Sequence, residues 1–506
     1  MVDEGMIFFN VKNQNMKSSY ITYNFHSNPC LFRKQEKLLL LHLAIFICIV
    51  LFSCKKLVDV EAPTTSTNAA NVYQNDETAA AVLTGIYTNM SNSTFSSGGL
   101  VSLSLFPALS SDELTLYPGS TDVSYIGYFT NRLTNQNTLG TDFWNVFYQT
   151  IFVVNSAIEG LNSASGLTPS VKQQLFGEAK FMRAFCYFYL VDLYGDVPLA
   201  LSTDFKKNGN LSRTPQAEVF QQIIADLKDA QYLLSNNYLS ADLQNVTIER
   251  VRPTKWAATA MLARVYLYTG NYQEAEQQSS TVINNSLFSL VPLNSVFLKN
   301  SGEAIWQLQP VMNEYNTQDA RLFVLPPSGP SHPSHPIYLS TALYNSFDST
   351  DQRRAAWIDI DTANGALYYF PFKYKIWING APVTEYTMVL RLAEQYLIRA
   401  EARAQQNNIE GAQTDLNATR NRAGLPNTSA SDKGSLLAAI LHERQLELFT
   451  EWGHRWLDLK RTGNVDAVMT AYAPQKESTW STNWKWYPIS LQELQRDPYL
   501  VQNPGY

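Results

Sequence analysis

Apolar residues recur along several long stretches at the spacing of one helical face. In Arg391–Gln405, Leu392, Ala393, Tyr396, Leu397, Ala400 and Ala404 fall at i, i+3, i+4 and i+7 positions. That rhythm predicts an amphipathic helix with one buried stripe. Thr254–Gly270 and Pro215–Leu234 follow it too, and Ser435–Lys460 predicts one further helix. Gly177–Gly195 is apolar almost all round, so its helix is expected to be buried on most sides.

Two of these segments carry a weak repeat. Ala263, Tyr266, Gly270, Tyr272 and Ala275 stand at the small, aromatic, turn, aromatic and small positions of a tetratricopeptide helix pair. Ala400, Arg403, Asn407, Ile409 and Ala412 repeat the offsets, with Arg403 in place of the usual aromatic, and Ala184 and Tyr187 match only the first half. The expected fold is mainly α: a scaffold of about four helix pairs split by long insertions. Those insertions span about 92–144 and 287–386. The first is rich in Ser, Thr, Asn, Gly and Tyr, and the second in Pro, Asn and aromatics. Ala304–Gln309 and Ala366–Trp377 are strand-like, whereas PPSGPSHPSHP at Pro326–Pro336 excludes regular structure because proline lacks a donor and fixes φ. Long loops on a rigid scaffold are usually functional or disordered.

The N-terminus sets the compartment. Arg33, Lys34 and Lys37 precede an apolar run from Leu38 to Phe52. This predicts a secretory signal, shorter than the roughly 20 apolar residues of a membrane span. Leu51-Phe52-Ser53-Cys54 then resembles a bacterial lipobox, with Cys54 the lipidated residue and 54–71 a polar tether. Met1–Leu31 is too long for an n-region, which predicts a true start downstream of Met1. Of the four cysteines, Cys30 and Cys48 leave with residues 1–53 and Cys54 is acylated, so Cys186 stands alone and no disulfide is expected. Losing that segment, with five basic and three acidic residues, moves the net charge from −6 to −8.

Composition excludes other classes. In 506 residues, 45% are hydrophobic and 16% charged, too apolar for disorder, and the acidic balance argues against nucleic acid. Aromatics reach 12%, with 28 Tyr, 25 Phe and 10 Trp, more than packing alone suggests in a weakly charged chain. His442-Glu443 lacks a second His four residues on, since Leu446 stands there, so a zinc peptidase reading fails. Asp112, Glu113, Asp348 and Asp351 are candidate carboxylates for a glycoside hydrolase, which needs two about 5–9.5 Å apart. Glu394, Glu401 and Glu447 sit among Arg391, Arg399, Arg403 and Arg444, and helical spacing predicts surface or partly buried ion pairs. No nucleotide loop, serine elbow or CxxC pair occurs, and no cofactor or metal is expected.

Five further segments point one way. They are Asp76–Met90 (DETAAAVLTGIYTNM), Gly177–Leu199 with its Gly195-Asp196-Val197-Pro198 turn, Arg391–Leu425, His442–Gly463 (HERQLELFTEWGHRWLDLKRTG) and the terminal WKWYPISLQELQRDPYLVQNPGY. In this order they resemble the SusD/RagB family of Bacteroidetes outer-membrane lipoproteins, over Cys54–Tyr506. The resemblance implies a non-enzymatic, surface-exposed lipoprotein, anchored in the outer membrane and facing the exterior. It would capture a glycan, or less often a peptide, and pass it to a SusC-like TonB-dependent transporter. It also implies a ligand site built from loops of the N-terminal part and the middle of the chain. Tyr117, Tyr125 and Tyr128 in the first insertion, with Tyr315, Phe323 and Tyr338 in the second, are the expected ring contacts for sugar C–H faces. An exported glycoside hydrolase and a protein-docking scaffold are the competing classes.

Overall fold

The periodic stretches do become the frame. The computed structural model describes residues 72–92, 100–136, 143–312 and 315–506. These belong to one unit, Thr67–Tyr506. The signal, the lipobox with Cys54 and the tether lie outside the described residues. Helix α1 (Asp76–Asn92) precedes eight long helices: α2 (Phe143–Ser163), α3 (Pro169–Tyr194), α4 (Gln216–Leu233), α5 (Lys255–Tyr268), α6 (Tyr272–Ile283), α7 (Leu392–Gln405), α8 (Ile409–Arg422) and α9 (Lys433–Leu448). From α2 to α9 each packs on the next, an array equivalent to four helix pairs. The two expected inter-helix turns are present, with Gly270 at φ 73° and Asn407 at φ 63°, a region open to glycine and tolerated by asparagine. Arg403, standing for the missing aromatic, donates to Glu276 on α6 and Asp415 on α8 at 2.8 and 2.9 Å. An ion pair thus replaces ring packing between the two copies.

Helix α3 is the core element. It begins on Pro169, is buried along most of its length and stops at Gly195, φ 80°. Phe181 and Phe185 meet the Trp306 ring edge-on at 5.2 and 5.7 Å. Gly177 lets the chain after α4 come close, since a Cβ there would sit 2.8 Å from the Leu234 side chain. Cys186, on the same helix, is fully buried, and burial pushes its thiol pKa upward. Its thiol is expected to ignore a disulfide reagent in the native protein and to react once on unfolding, read on a form beginning after Cys54. Native-state labelling would contradict the packing.

Ser435–Lys460 is not one helix. It divides into α9 and His454–Arg461, because Thr450, Trp452 and Gly453 adopt positive φ. Tertiary contacts hold that break. The Trp452 indole N–H donates to the Met388 carbonyl at 2.6 Å, and its backbone N–H donates to Ser104 Oγ at 3.1 Å. Glu451 accepts from Arg391 Nε at 2.8 Å. The ion pairs expected on helix surfaces are also relocated. Glu447 is fully buried and accepts from Arg353 (2.9 Å), Arg391 (2.6 Å) and Arg422, while Glu394 pairs with Arg264 at 2.7 Å. Each partner comes from a distant element rather than from the neighbouring turn.

Among the described residues, six short strands form three antiparallel pairs: β1 (Leu114–Leu116) with β3 (Ile337–Leu339), β2 (Ala304–Leu308) with β6 (Thr387–Arg391), and β4 (Ile358–Ala363) with β5 (Ala366–Pro371). Both strand-like sequence segments are strands, although the second ends at Pro371 and continues as loop. The insertions hold more regular structure than their composition suggests, including helices Val123–Phe129 and Gln318–Phe323. The β1–β3 pair joins the first insertion to the second. Leu114 faces Leu339 and Leu116 faces Ile337. Ser340 extends the seam, its backbone N–H donating to Glu113 O at 2.9 Å and its hydroxyl to Asp112 O at 2.6 Å.

Candidate functional site

Beyond that seam the two insertions enclose an open cleft of about 610 Å³, within the range of small-ligand sites. Tyr125 lines it from the first insertion. Asp122 caps the helix that carries this tyrosine, its Oδ1 accepting from the N–H groups of Ser124 (2.8 Å) and Tyr125 (3.1 Å). Tyr315, Gln318, Arg321 and Leu322 line the opposite side. They are carried on or just before helix Gln318–Phe323, which Thr317 caps by accepting from Ala320 N–H at 3.1 Å. Pro333, Ser334 and His335 form one end, from the proline-rich run, and Trp377, Ile378 and Asn379 the other.

Two buried side chains hold the Trp377 loop against the Tyr315 segment. Asn316 Oδ1 accepts from the N–H groups of Thr384 (2.8 Å) and Glu385 (3.0 Å). Glu385 in turn accepts from Lys375 N–H at 2.8 Å and Ile376 N–H at 3.1 Å. Burial raises the Glu385 pKa, and those backbone N–H groups oppose the rise. The result is a half-buried indole beside an exposed Ile378. Among the described residues nothing accepts a hydrogen bond from the Trp377 indole N–H, so it is available to a ligand. At the far end His332 Nε2 meets Thr121 Oγ1 at 3.2 Å, a second tie between the insertions.

The expected ring contacts separate into two groups. Tyr125 and Tyr315 come together at the cleft, Tyr125 mostly by one edge since it is 7% exposed. The Arg321 guanidinium lies 3.9 Å over the Tyr315 ring and covers one face of it. Tyr128 and Phe323 are buried in the core, with Tyr128 stacked on Phe106 at 4.5 Å and edge-on to Tyr487 at 5.1 Å. These two pack the interior and do not line the cleft. Tyr117 and Tyr338 are half-buried along the β1–β3 seam, Tyr338 edge-on to Tyr368 at 5.2 Å, and neither lines the cleft. Arg321, His335, Trp377 and Asn379 were missed. A tryptophan just before the Asn379-Gly380 turn was the available signal for the last two.

The candidate carboxylates are engaged elsewhere. Asp112 accepts two bonds from Arg455, at 2.8 and 2.7 Å. Asp351 pairs with Arg353 at 2.8 Å, and Asp348 accepts from Thr350 N–H at 2.8 Å. Glu113 is buried, which, with the neighbouring Asp112 charge, pushes its pKa up to about 8. None of the four lines the cleft. His442 lies on α9 and His454 is buried on the next helix, and burial lowers both pKa values. Among the described residues no helix is long and apolar enough to cross a membrane.

Comparison with known proteins gives concordant results. Residues 65–267 match a family described as starch-binding and associating with the outer membrane, and residues 358–506 match the SusD family. SusD-like protein P25 of Formosa agariphila is 25% identical, over 91% of this chain and 98% of its own. SusD-like protein P2 of the same organism is 28% identical, over 74% and 83%. A SusD superfamily protein from Bacteroides vulgatus superposes with a TM-score of 0.73 at 21% identity, covering 86% of this chain and all of its own. A laminarin-binding SusD-like protein superposes with a TM-score of 0.69 at 26% identity, over 86% of this chain and all of its own.

Proposed function

The chain belongs to the SusD/RagB family, and from that premise we propose that it is a cell-surface glycan-binding protein of the nutrient-uptake type. Its cleft holds an oligosaccharide and releases it unaltered to a SusC-like TonB-dependent transporter. Cys54, once acylated, keeps it on the outer membrane, where two signals or chains suffice for stable anchoring. Residues 54–71 act as the tether and 72–506 as the SusD-like body.

The observation that carries the binding reading is the composition of the cleft. Rings from both insertions, Tyr125, Tyr315 and Trp377, stand beside Gln318, Ser334 and Asn379. Flat rings suit the C–H faces of pyranoses, and amides and hydroxyls suit their hydroxyl belts. No aspartate or glutamate is among the described lining residues, whereas hydrolysis requires a carboxylate pair. The laminarin-binding relative supports a saccharide ligand.

Affinity electrophoresis of the mature chain against a polysaccharide panel, followed by analysis for released sugars, tests this. Retardation by at least one polymer without product is expected. Released oligosaccharide, or silence across the panel, overturns it.

A further inference from the structure

The charge of the cleft narrows the ligand class. Arg321 is the one arginine or lysine among the described lining residues, in a chain of net charge −6. Most buried arginines of this protein are matched by carboxylates, as Arg264 is by Glu394 and Arg461 is by Glu401. Arg321 has no carboxylate within 4 Å among the described residues. Its Nη1 donates to the Gln318 amide oxygen at 3.4 Å, and its plane rests on Tyr315. That stack fixes the guanidinium in one orientation and leaves Nε and Nη2 free. Across the cleft, Asp122 is committed to capping its own helix.

At one end of the cleft the His335 ring is half-buried, its Nδ1 enclosed and its ring against the Leu322 backbone. Burial lowers the imidazole pKa, and the Leu322 backbone opposes that shift. An unmatched guanidinium and the free indole N–H of Trp377 therefore border one cleft whose described lining residues include no carboxylate. A rigid guanidinium fork fits a planar carboxylate or two oxygens of a sulfate ester.

We propose that the cleft selects an acidic glycan, one carrying a carboxylate or sulfate group that Arg321 binds through its free edge. This rests on the reading of the cleft as a saccharide site. Trp377 supplies the ring contact for the sugar face, and Arg321 supplies the discrimination between charged and neutral residues.

The test uses matched polymers and the mature chain. Polygalacturonate and alginate are compared with their carboxyl-reduced forms, and chondroitin sulfate with its desulfated form, by affinity electrophoresis and calorimetry. Laminarin and starch serve as neutral controls. At least one charged polymer is expected to bind about tenfold more tightly than its neutralised form, as one charge-assisted contact implies. Arg321→Gln is expected to erase that preference while leaving the thermal midpoint unchanged. Raising the salt concentration should weaken wild type and not R321Q. The carboxylate and sulfate arms identify which group is read. If a neutral polymer binds and Trp377→Ala abolishes it while charge and R321Q have no effect, acidic selectivity is wrong and the saccharide cleft stands. If nothing binds, both fail.

Discussion

Trp377→Ala is expected to weaken glycan binding at least tenfold, about 1.4 kcal/mol, without unfolding the protein. The indole is half-buried at the rim of the cleft, on a loop held by Glu385 and Asn316 through backbone groups that the substitution leaves intact. Removing it takes away the largest flat apolar surface a pyranose can cover. Full burial of a large apolar side chain contributes roughly 1.5–3 kcal/mol, so a half-covered ring accounts for the tenfold figure. Tyr117→Ala and Tyr338→Ala are the matched controls, since both rings lie off the cleft. They should bind as wild type. Calorimetric titration with whichever polymer the panel yields reads the difference. Equal affinity for W377A and wild type, with both folded, would remove the cleft as the binding site.

The second large effect concerns stability. Glu447→Ala is expected to cost about 3–5 kcal/mol, because removing one partner of a buried ion pair leaves the others uncompensated. Three guanidinium groups, Arg353, Arg391 and Arg422, converge on this one carboxylate. Their positive charge holds its pKa well below the usual glutamate range, against the desolvation that would raise it. Its contribution is therefore present above the unfolded pKa of about 4.3 and lost as pH falls through the lower folded value. Wild type should lose stability on acidification through that window, and the E447A variant should lose less over the same range. Urea unfolding followed by circular dichroism at pH 7 and at about pH 3, inside that window, checks both statements. An unchanged midpoint for E447A at pH 7 would show that the arginines find other partners.

Much of the frame was legible because it depends on local periodicity. The stripe of Leu392, Leu397, Ala400 and Ala404 faces the interior wherever the helix goes, and all four are buried. The break after Leu448 was not legible. Ser435–Lys460 reads as continuous helix, and the residues that turn it, Thr450 and Trp452, have no local preference for positive φ. Their conformation is set by Met388, Ser104 and Arg391, each at least 60 positions earlier in the chain. The aromatic residues show the same division. Tyr125 and Tyr128 are three residues apart on one short helix, yet Tyr125 reaches the cleft and Tyr128 packs on Phe106. Composition favoured both equally.

Residue order by itself determined the helical class, the repeat positions, the lone thiol at Cys186 and the family, because periodicity and ordered motifs are properties of neighbours along the chain. Only the tertiary structure decided that Trp377, Arg321 and Tyr125 line one cleft and that Glu447 gathers three arginines. Those arrangements depend on the β1–β3 pairing and on contacts between segments tens to hundreds of residues apart. Their strength comes from exclusion of water at the point of meeting, which no single segment possesses before it meets its partner.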